Sequence, residues 1–426
     1  MSAERLKQNV TLPHGVGLAV STIIGSGLLG LPGLAIEQAG AHTALAGWAL
    51  TLLLSVPLML IFLRLTRGVR DAGGLARYAS LAFGPGAGAA ASLLIAATFA
   101  LCIPAGTAMG AAYLQEIFHL PAWSVLPIVL VLLGVSTLVN LFGATPSRVV
   151  NTLAVVALVL LIVAFVVLNL GAVGRGVAAL GEIGSGAVVV PVAALWAASA
   201  LLFWAFLGWE NLSFGSEEYQ ERPGFVTKVF WLGFVVVGVL YAALALVSSG
   251  AALSGRAVSG VTGLLRLVDG EALRPAIVAL IVVVVVANVN AWVFAASRLY
   301  FAAGRNGDLP AYLGRLDKRG VPVASLVTLF VLYALLAGLT SSGVLPLVSA
   351  LKIANQNFVL LYVGAIVAFV AIDRSWSGRL IAAAASVSCV FLLSGFGWWL
   401  LVPVLIGALG FAKHQFTSRQ PTEASA

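Results

Sequence analysis

His14-Gly-Val-Gly-Leu-Ala-Val-Ser21-Thr22-Ile-Ile24-Gly25-Ser26-Gly27-Leu-Leu-Gly30-Leu-Pro32-Gly33 decides how this chain folds. The stretch is apolar enough for a helix in a bilayer, yet Gly25 and Gly27 flank a serine near its middle and Pro32 follows. Each glycine lowers helix stability by about 1 kcal/mol relative to alanine. The helix is therefore expected to unwind here. At membrane depth, unwound backbone is tolerated only where it lines a cavity or is buried in protein. The half-helix beyond the break aims free N–H groups and its positive dipole end into the gap, which suits a carboxylate.

A second stretch repeats the device. Phe203-Trp204-Ala205-Phe206-Leu207-Gly208-Trp209-Glu210-Asn211-Leu212-Ser213 sets a glycine two residues before an ionisable side chain inside another apolar segment. A break here exposes carbonyl oxygens, which suit an ammonium group. Paired interruptions in corresponding halves of a chain point to an inverted-repeat transporter with its site near the midplane. Donors on one side and carbonyls on the other fit a zwitterionic amino acid. Close helix packing competes as an explanation of Gly25 and Gly27. The recurrence in the second stretch, and the intramembrane Glu210, favour a site.

The composition sets the class. Of 426 residues, 61% are hydrophobic and 9% charged, with a mean hydropathy of +1.08. Soluble domains carry roughly 25% charge, so a soluble monomer is excluded, as is a disordered chain. Two cysteines, Cys102 and Cys389, both sit in apolar runs, which excludes a disulfide scaffold. An all-α polytopic membrane protein remains, since the alternation of a membrane barrel is absent.

With about 20 residues per span, about twelve transmembrane helices are read at 13–39, 43–65, 84–118, 123–143, 148–171, 192–216, 225–249, 275–303, 323–341, 345–371, 377–394 and 396–412. Helices 1 and 6 are the broken ones. The Gly- and Ala-rich stretches 172–191 and 250–274 have room for short interfacial helices. The parse is a cytoplasmic N-terminus (1–12), five helices (13–171), five more (192–371), two additional helices (377–412) and a polar tail (413–426). Without an A-x-A cleavage site, the first apolar segment reads as an uncleaved span.

Placing the N-terminus inside puts 18 of the 23 Lys and Arg on one side. Arg175, Arg256, Arg266 and Arg274 fall on the other side, and Lys352 lies within a span. The positive-inside bias assigns both termini to the cytoplasm of a plasma (inner) membrane protein. The net charge of +8 is thus a topology signal, and nucleic-acid binding, which needs a basic soluble face, is not expected.

At this point the residues resemble the amino acid–polyamine–organocation (APC) superfamily of transporters. The Gly-Ser-Gly break and the Phe203–Glu210 segment carry the likeness. So do Ser216-Glu217-Glu218-Tyr219-Gln220-Glu221-Arg222-Pro223, the run Arg298-Leu-Tyr-Phe-Ala-Ala-Gly304-Arg305-Asn306-Gly307-Asp308-Leu309-Pro310, and Asp71-Ala-Gly73-Gly74-Leu-Ala-Arg77-Tyr78. Within that superfamily the short loops are similar to bacterial exporters of methionine and branched-chain amino acids. The resemblance implies a LeuT-like fold of 5+5 inverted repeats plus two extra helices. It implies that the backbone of Gly25, Ser26 and Gly27 meets the substrate carboxylate, with Thr22 and Ile24 as further substrate-binding candidates. Carbonyls near Phe206, Leu207 and Gly208 would meet the amine. Trp292 falls where relatives carry a substrate-proximal aromatic, with packing as its alternative. Some relatives also carry a lysine in span five in place of a sodium ion; span five here has none.

Three charged residues are candidates for coupling or gating. Glu210 either takes up and releases a proton, since burial disfavours a charged carboxylate, or holds the break open as an acceptor. Lys352, at a cost of roughly 2.5–3.5 kcal/mol at a helix centre, either snorkels outward or pairs with Glu37 or Glu210. Asn288 and Asn290 read as interhelical hydrogen-bond partners ahead of substrate contacts. His14, His42, His119 and His414 all lie near span ends, so no metal site or cofactor is expected.

The expected function is secondary active transport of neutral, apolar L-amino acids (methionine, leucine, isoleucine, valine) by alternating access, as proton-coupled export. Trp204, Phe206, Trp209 and Trp292 offer an apolar wall. An uptake permease or exchanger of the same superfamily is the alternative, and a sensor or channel on the transporter fold a further one. A membrane enzyme would need paired carboxylates, a metal set or a Ser/His pair at depth, and ATP drive would need a Walker loop. The span interiors supply neither. The partners implied are the amino acid, protons and the lipid bilayer; the oligomeric state is left open.

Overall fold

The break in the first span appears as two helices, Leu12–Ile23 (α1) and Gly27–Ala39 (α2). Their segments Gly15–Ile23 and Leu28–Ala39 are inclined at 41°. The structure is a computed structural model that describes residues 11–24, 27–69, 74–214, 216, 219–220, 222–268, 272–394 and 401–419. Gly25 and Ser26, and the expected N-terminus to residue 10, lie outside the described residues.

Beyond the first span come Ala41–Gly68 (α3), Gly74–Phe83 (α4), Pro85–Ile117 (α5), Val125–Leu141 (α6), Ala144–Leu168 (α7) and Leu170–Gly184 (α8). The second half holds Val192–Leu202 (α9), Asn211–Phe214 (α10), Phe225–Leu253 (α11), Arg274–Arg305 (α12), Val323–Ser341 (α13) and Leu347–Ile372 (α14). Trp376–Leu393 (α15) and Leu401–Arg419 (α16) close the chain. All regular elements among the described residues are helical, as hydrocarbon requires of an open-ended chain.

Among the described residues nine helices, with Val192–Ser213 taken as one span, are long and apolar enough to cross a membrane. The bent pairs α1–α2 and α7–α8 bring that to as many as eleven, and Leu401–Ala412 is a shorter apolar helix. Helix α16 runs on to Arg419, past the boundary expected for the polar tail. No glycine or proline interrupts residues 411–419, so polarity alone does not end the helix there. The membrane-facing surface is legible in α7, where Leu153, Val156, Leu160, Val163 and Val167 form one exposed apolar stripe at helical spacing.

The Gly/Ala-rich segment after α7 is α8, which turns through 84° and lies across the end of the bundle. Glycine makes this possible. A Cβ on Gly250 of α11 would fall 1.8 Å from the Ala172 carbonyl oxygen, and one on Gly176 2.3 Å from that of Leu246. The two helix backbones therefore touch. Charge pins the other end of α8: Glu182 Oε2 lies 2.7 Å from His42 Nε2 at the start of α3, and Arg175 donates to Glu182 Oε1 at 2.7 Å. The Arg175 guanidinium first, then His42, hold the Glu182 carboxyl below the usual carboxylate range.

At the opposite end, Arg64 of α3 donates to Asp373 Oδ2 at 2.8 Å, just past the C-terminus of α14, and to Ser377 Oγ at 3.0 Å in α15. One guanidinium thus ties three helices. The Ser375 hydroxyl first, and then Arg64, keep the Asp373 carboxyl below its ordinary value.

Candidate functional site

The two interruptions face each other. Helix α1 makes its last backbone bond from Ile24 N to Val20 O at 2.8 Å, and Ile24 then leaves helical geometry at φ −84°, ψ 90°. On the other side α9 tightens into a 3₁₀ turn over Phe203–Phe206, Leu207 is extended at φ −79°, ψ 147°, and Gly208 takes φ +125°. That angle favours glycine. Space demands glycine as well: a Cβ there would lie 3.0 Å from the Thr22 carbonyl oxygen and 3.2 Å from Ile23 Cγ1. Tyr241 donates to the Ile23 carbonyl at 3.4 Å, which satisfies one of the carbonyls left at the end of α1.

A cavity opens between the breaks. Ile23 comes from α1, and Trp204, Ala205 and Leu207 from the second break. Helix α5 supplies Cys102, Ile103, Gly106 and Thr107; α12 supplies Asn288, Val289 and Trp292; α14 supplies Phe358. None of these side chains is charged. The Thr107 hydroxyl donates to Ile103 O at 2.7 Å and is spent on its own helix. The cavity measures about 30 Å³, enough for about two waters, so an amino acid enters only after the walls part. Beside it Met109, Leu351, Val261 and the lining residue Trp204 pack together.

A second, smaller cavity of about 10 Å³ lies between α1, α7 and α12. Val20, Ser21 and Ile24 meet Val155 and Leu158 of α7 there.

Glu210 follows the second break and is 3% exposed. Its Oε2 accepts from Tyr362 Oη at 2.5 Å and from the Gly208 N–H at 3.1 Å. Its Oε1 has no hydrogen-bond partner among the described residues. Tyr362 is held edge-on by Phe62 and Phe203, at 4.9 and 6.1 Å between ring centroids. The carboxylate therefore joins the extended backbone at Gly208 to α14.

The sequence candidates separate on this frame. Leu207 and Trp292 line the first cavity, Ile24 the second, and Gly208 abuts Thr22. The Thr22 hydroxyl donates to Leu18 O at 2.8 Å, so it is the Thr22 carbonyl that faces the opposite break. Gly25 and Ser26 lie outside the described residues, and Gly27 begins α2. Of the four aromatics expected in the wall, Trp204 and Trp292 are there. Phe206 instead packs on Trp48 and Tyr241, and Trp209 on Phe230 and Phe234. Residues that alternate around a tight turn point in opposite directions, which composition does not reveal.

Lys352 and Glu37 are both exposed, and no ion pair joins either to a described residue. Lys352 is only the sixth residue of α14, so its stem reaches the end of the bundle without a carboxylate. Asn290 pairs with Asn140 Nδ2 at 3.0 Å, as an interhelical partner should, whereas Asn288 borders both cavities. The α5 wall and Phe358 were not foreseen. Pro104 and Gly106 inside a long apolar helix are the signal that marks α5.

Residues 15–424 match the amino acid permease family profile. The chain belongs to the amino acid permease family. Among its relatives is the uncharacterized amino acid permease YecA of Bacillus subtilis (strain 168), 26% identical over 412 residues and covering 95% of each chain. The L-methionine/branched-chain amino acid exporter YjeH of Escherichia coli (strain K12) is 24% identical over 430 residues, or 93% of this chain and 97% of that one. Among solved structures, MhsT in complex with L-phenylalanine superposes with a TM-score of 0.63 at 16% identity, over 94% of this chain and all of its own. The permease therefore has the LeuT-like fold of the APC superfamily and is a multi-pass membrane transporter of amino acids, not an enzyme.

Proposed function

We propose that this permease moves neutral, apolar L-amino acids, with methionine, leucine, isoleucine and valine as its substrates. One observation carries the reading: the cavity between the two breaks is walled mostly by apolar side chains, with no charge to match an acidic or basic substrate. Burying an ionised side chain there without a partner is costly. The carboxylate meets the main-chain N–H groups of Gly25, Ser26 and Gly27, and the amine meets carbonyls of Phe206, Leu207 and Gly208. The likeness to the Escherichia coli exporter supports export, and the one-sided distribution of Lys and Arg supports an inner-membrane placement with both termini in the cytoplasm. Counterflow into liposomes with labelled methionine and leucine tests this, and no saturable signal for any neutral amino acid rejects it.

Transport is coupled to protons through Glu210. The observation in favour is its buried carboxyl, whose Oε1 has no partner among the described residues and whose Oε2 accepts from the Gly208 N–H, so that gain or loss of a proton alters a bond that shapes the break. Glu210→Gln is expected to leave exchange intact and remove the dependence of net transport on a pH gradient. Unchanged pH dependence would assign Glu210 a structural role. Lys352 and Glu37, both exposed toward the α8 end, act on entry rather than coupling.

A further inference from the structure

The walls of the cavity do not stand alone. Trp292 comes from α12 and Phe358 from α14, and both rings rest on a single ring behind them, Phe99 of α5. Trp292 stands edge-on to Phe99, with centroids 5.4 Å apart at 79°; Phe358 is tilted at 46° and 6.4 Å away. Phe99 is 1% exposed and is not part of the cavity lining. Among the described residues it is the one ring in contact with both.

We propose that Phe99 sets the upper size of the side chain this permease accepts, by bracing Trp292 and Phe358 against the cavity. It is a positioning residue, acting through the two rings that face the substrate. The inference rests on the reading above, that this cavity receives the substrate side chain. The physical basis is close packing. Interiors have few voids, and a wall moves back only if space exists behind it. The 30 Å³ cavity must widen for any amino acid. Opening of the cavity toward either end lengthens it along the helix axes. Widening across the rings is blocked while Phe99 fills the space behind them. Aliphatic and thioether side chains are flexible and narrow enough for the first route, whereas a phenyl or indole ring needs the second. Removing the Phe99 ring leaves a void that its surroundings fill only in part, and either wall ring can swing into it.

The test is competition and initial-rate counterflow in liposomes with leucine, methionine, phenylalanine and tryptophan, on wild type, Phe99→Ala and Phe99→Leu. Wild type is expected to favour leucine and methionine. Phe99→Ala is expected to raise the Vmax/KM ratio of phenylalanine to leucine at least tenfold, chiefly through KM, with Phe99→Leu between the two. Should Phe99→Ala fail to fold, Phe99→Leu keeps most of the volume and carries the comparison. Phe165→Leu, a buried ring of α7 outside the cavity, controls for general loosening. A ratio unchanged from wild type, with all substrates slowed together as in Phe165→Leu, overturns the inference and leaves the transport reading standing. A wild type that takes phenylalanine as readily as leucine also overturns it. A wild type that binds no neutral amino acid removes the transport reading, and this inference with it.

Discussion

Gly208→Ala is the sharpest perturbation of the paired breaks. The residue sits at φ +125°, and the added methyl carbon would lie 3.0 Å from the Thr22 carbonyl oxygen. A backbone carbonyl in the last turn of α1 cannot rotate away as a side chain would. The strain of a non-glycine residue in such a conformation is about 1–3 kcal/mol. It is relieved only if the two breaks separate by a few tenths of an ångström or Leu207–Gly208 adopts another geometry. Either change disturbs the main-chain groups proposed to bind the substrate. If the strain is released by losing the binding geometry, then at 1.4 kcal/mol per tenfold the affinity falls by about 5- to 150-fold. The assay is equilibrium binding of labelled leucine or methionine to purified protein, with thermal unfolding in parallel. Wild-type affinity at an unchanged melting temperature would refute the argument that the Gly208–Thr22 contact shapes the site.

Two further outcomes follow from charge. The Arg64–Asp373 pair is 30% and 23% exposed, so it is worth about 1 kcal/mol or less after solvent screening. Arg64→Asp is expected to raise the accessibility of cysteines placed near α4 and α10, and adding Asp373→Arg is expected to restore it; no rescue would mean that the ion pair does not hold that end closed. On the opposite end, the Glu182 carboxyl is held below its ordinary value by Arg175 and His42. The stability it contributes is therefore present above the unfolded-state carboxyl pKa and is lost as pH falls through the lower folded value. Thermal unfolding below about pH 4.5, near the free carboxyl value, should show wild type losing more melting temperature than Glu182→Gln. Parallel curves would refute the linkage.

Much of the candidate site was legible because membrane segments have so few reasons to contain Gly, Ser or Glu in combination. Gly208 needs its positive φ, and Glu210 needs the neighbours it has, so both stand out from an apolar background. Which way Trp204, Phe206 and Trp209 face was not legible. A helix gives each position a fixed direction, but a 3₁₀ turn running into extended backbone resets that direction at every residue. Asn288 and Asn290 show the same limit from the other side. Two residues apart on one helix, they project to different faces, and only the neighbouring α6 and α1 decide that Asn290 meets Asn140 and that Asn288 borders the cavities.

Composition and spacing by themselves determined that the chain is helical, crosses the membrane many times and is interrupted twice, because hydrocarbon leaves backbone polar groups no partner outside a helix. They also marked residues 172–191 as a segment unlike a span. Only the tertiary structure decided that the interruptions meet, Gly208 against Thr22. It alone showed that α5 and α14 complete the wall, and that one buried ring backs two others. Those relations join residues far apart in the chain, and they depend on how helices pack rather than on what any one helix contains.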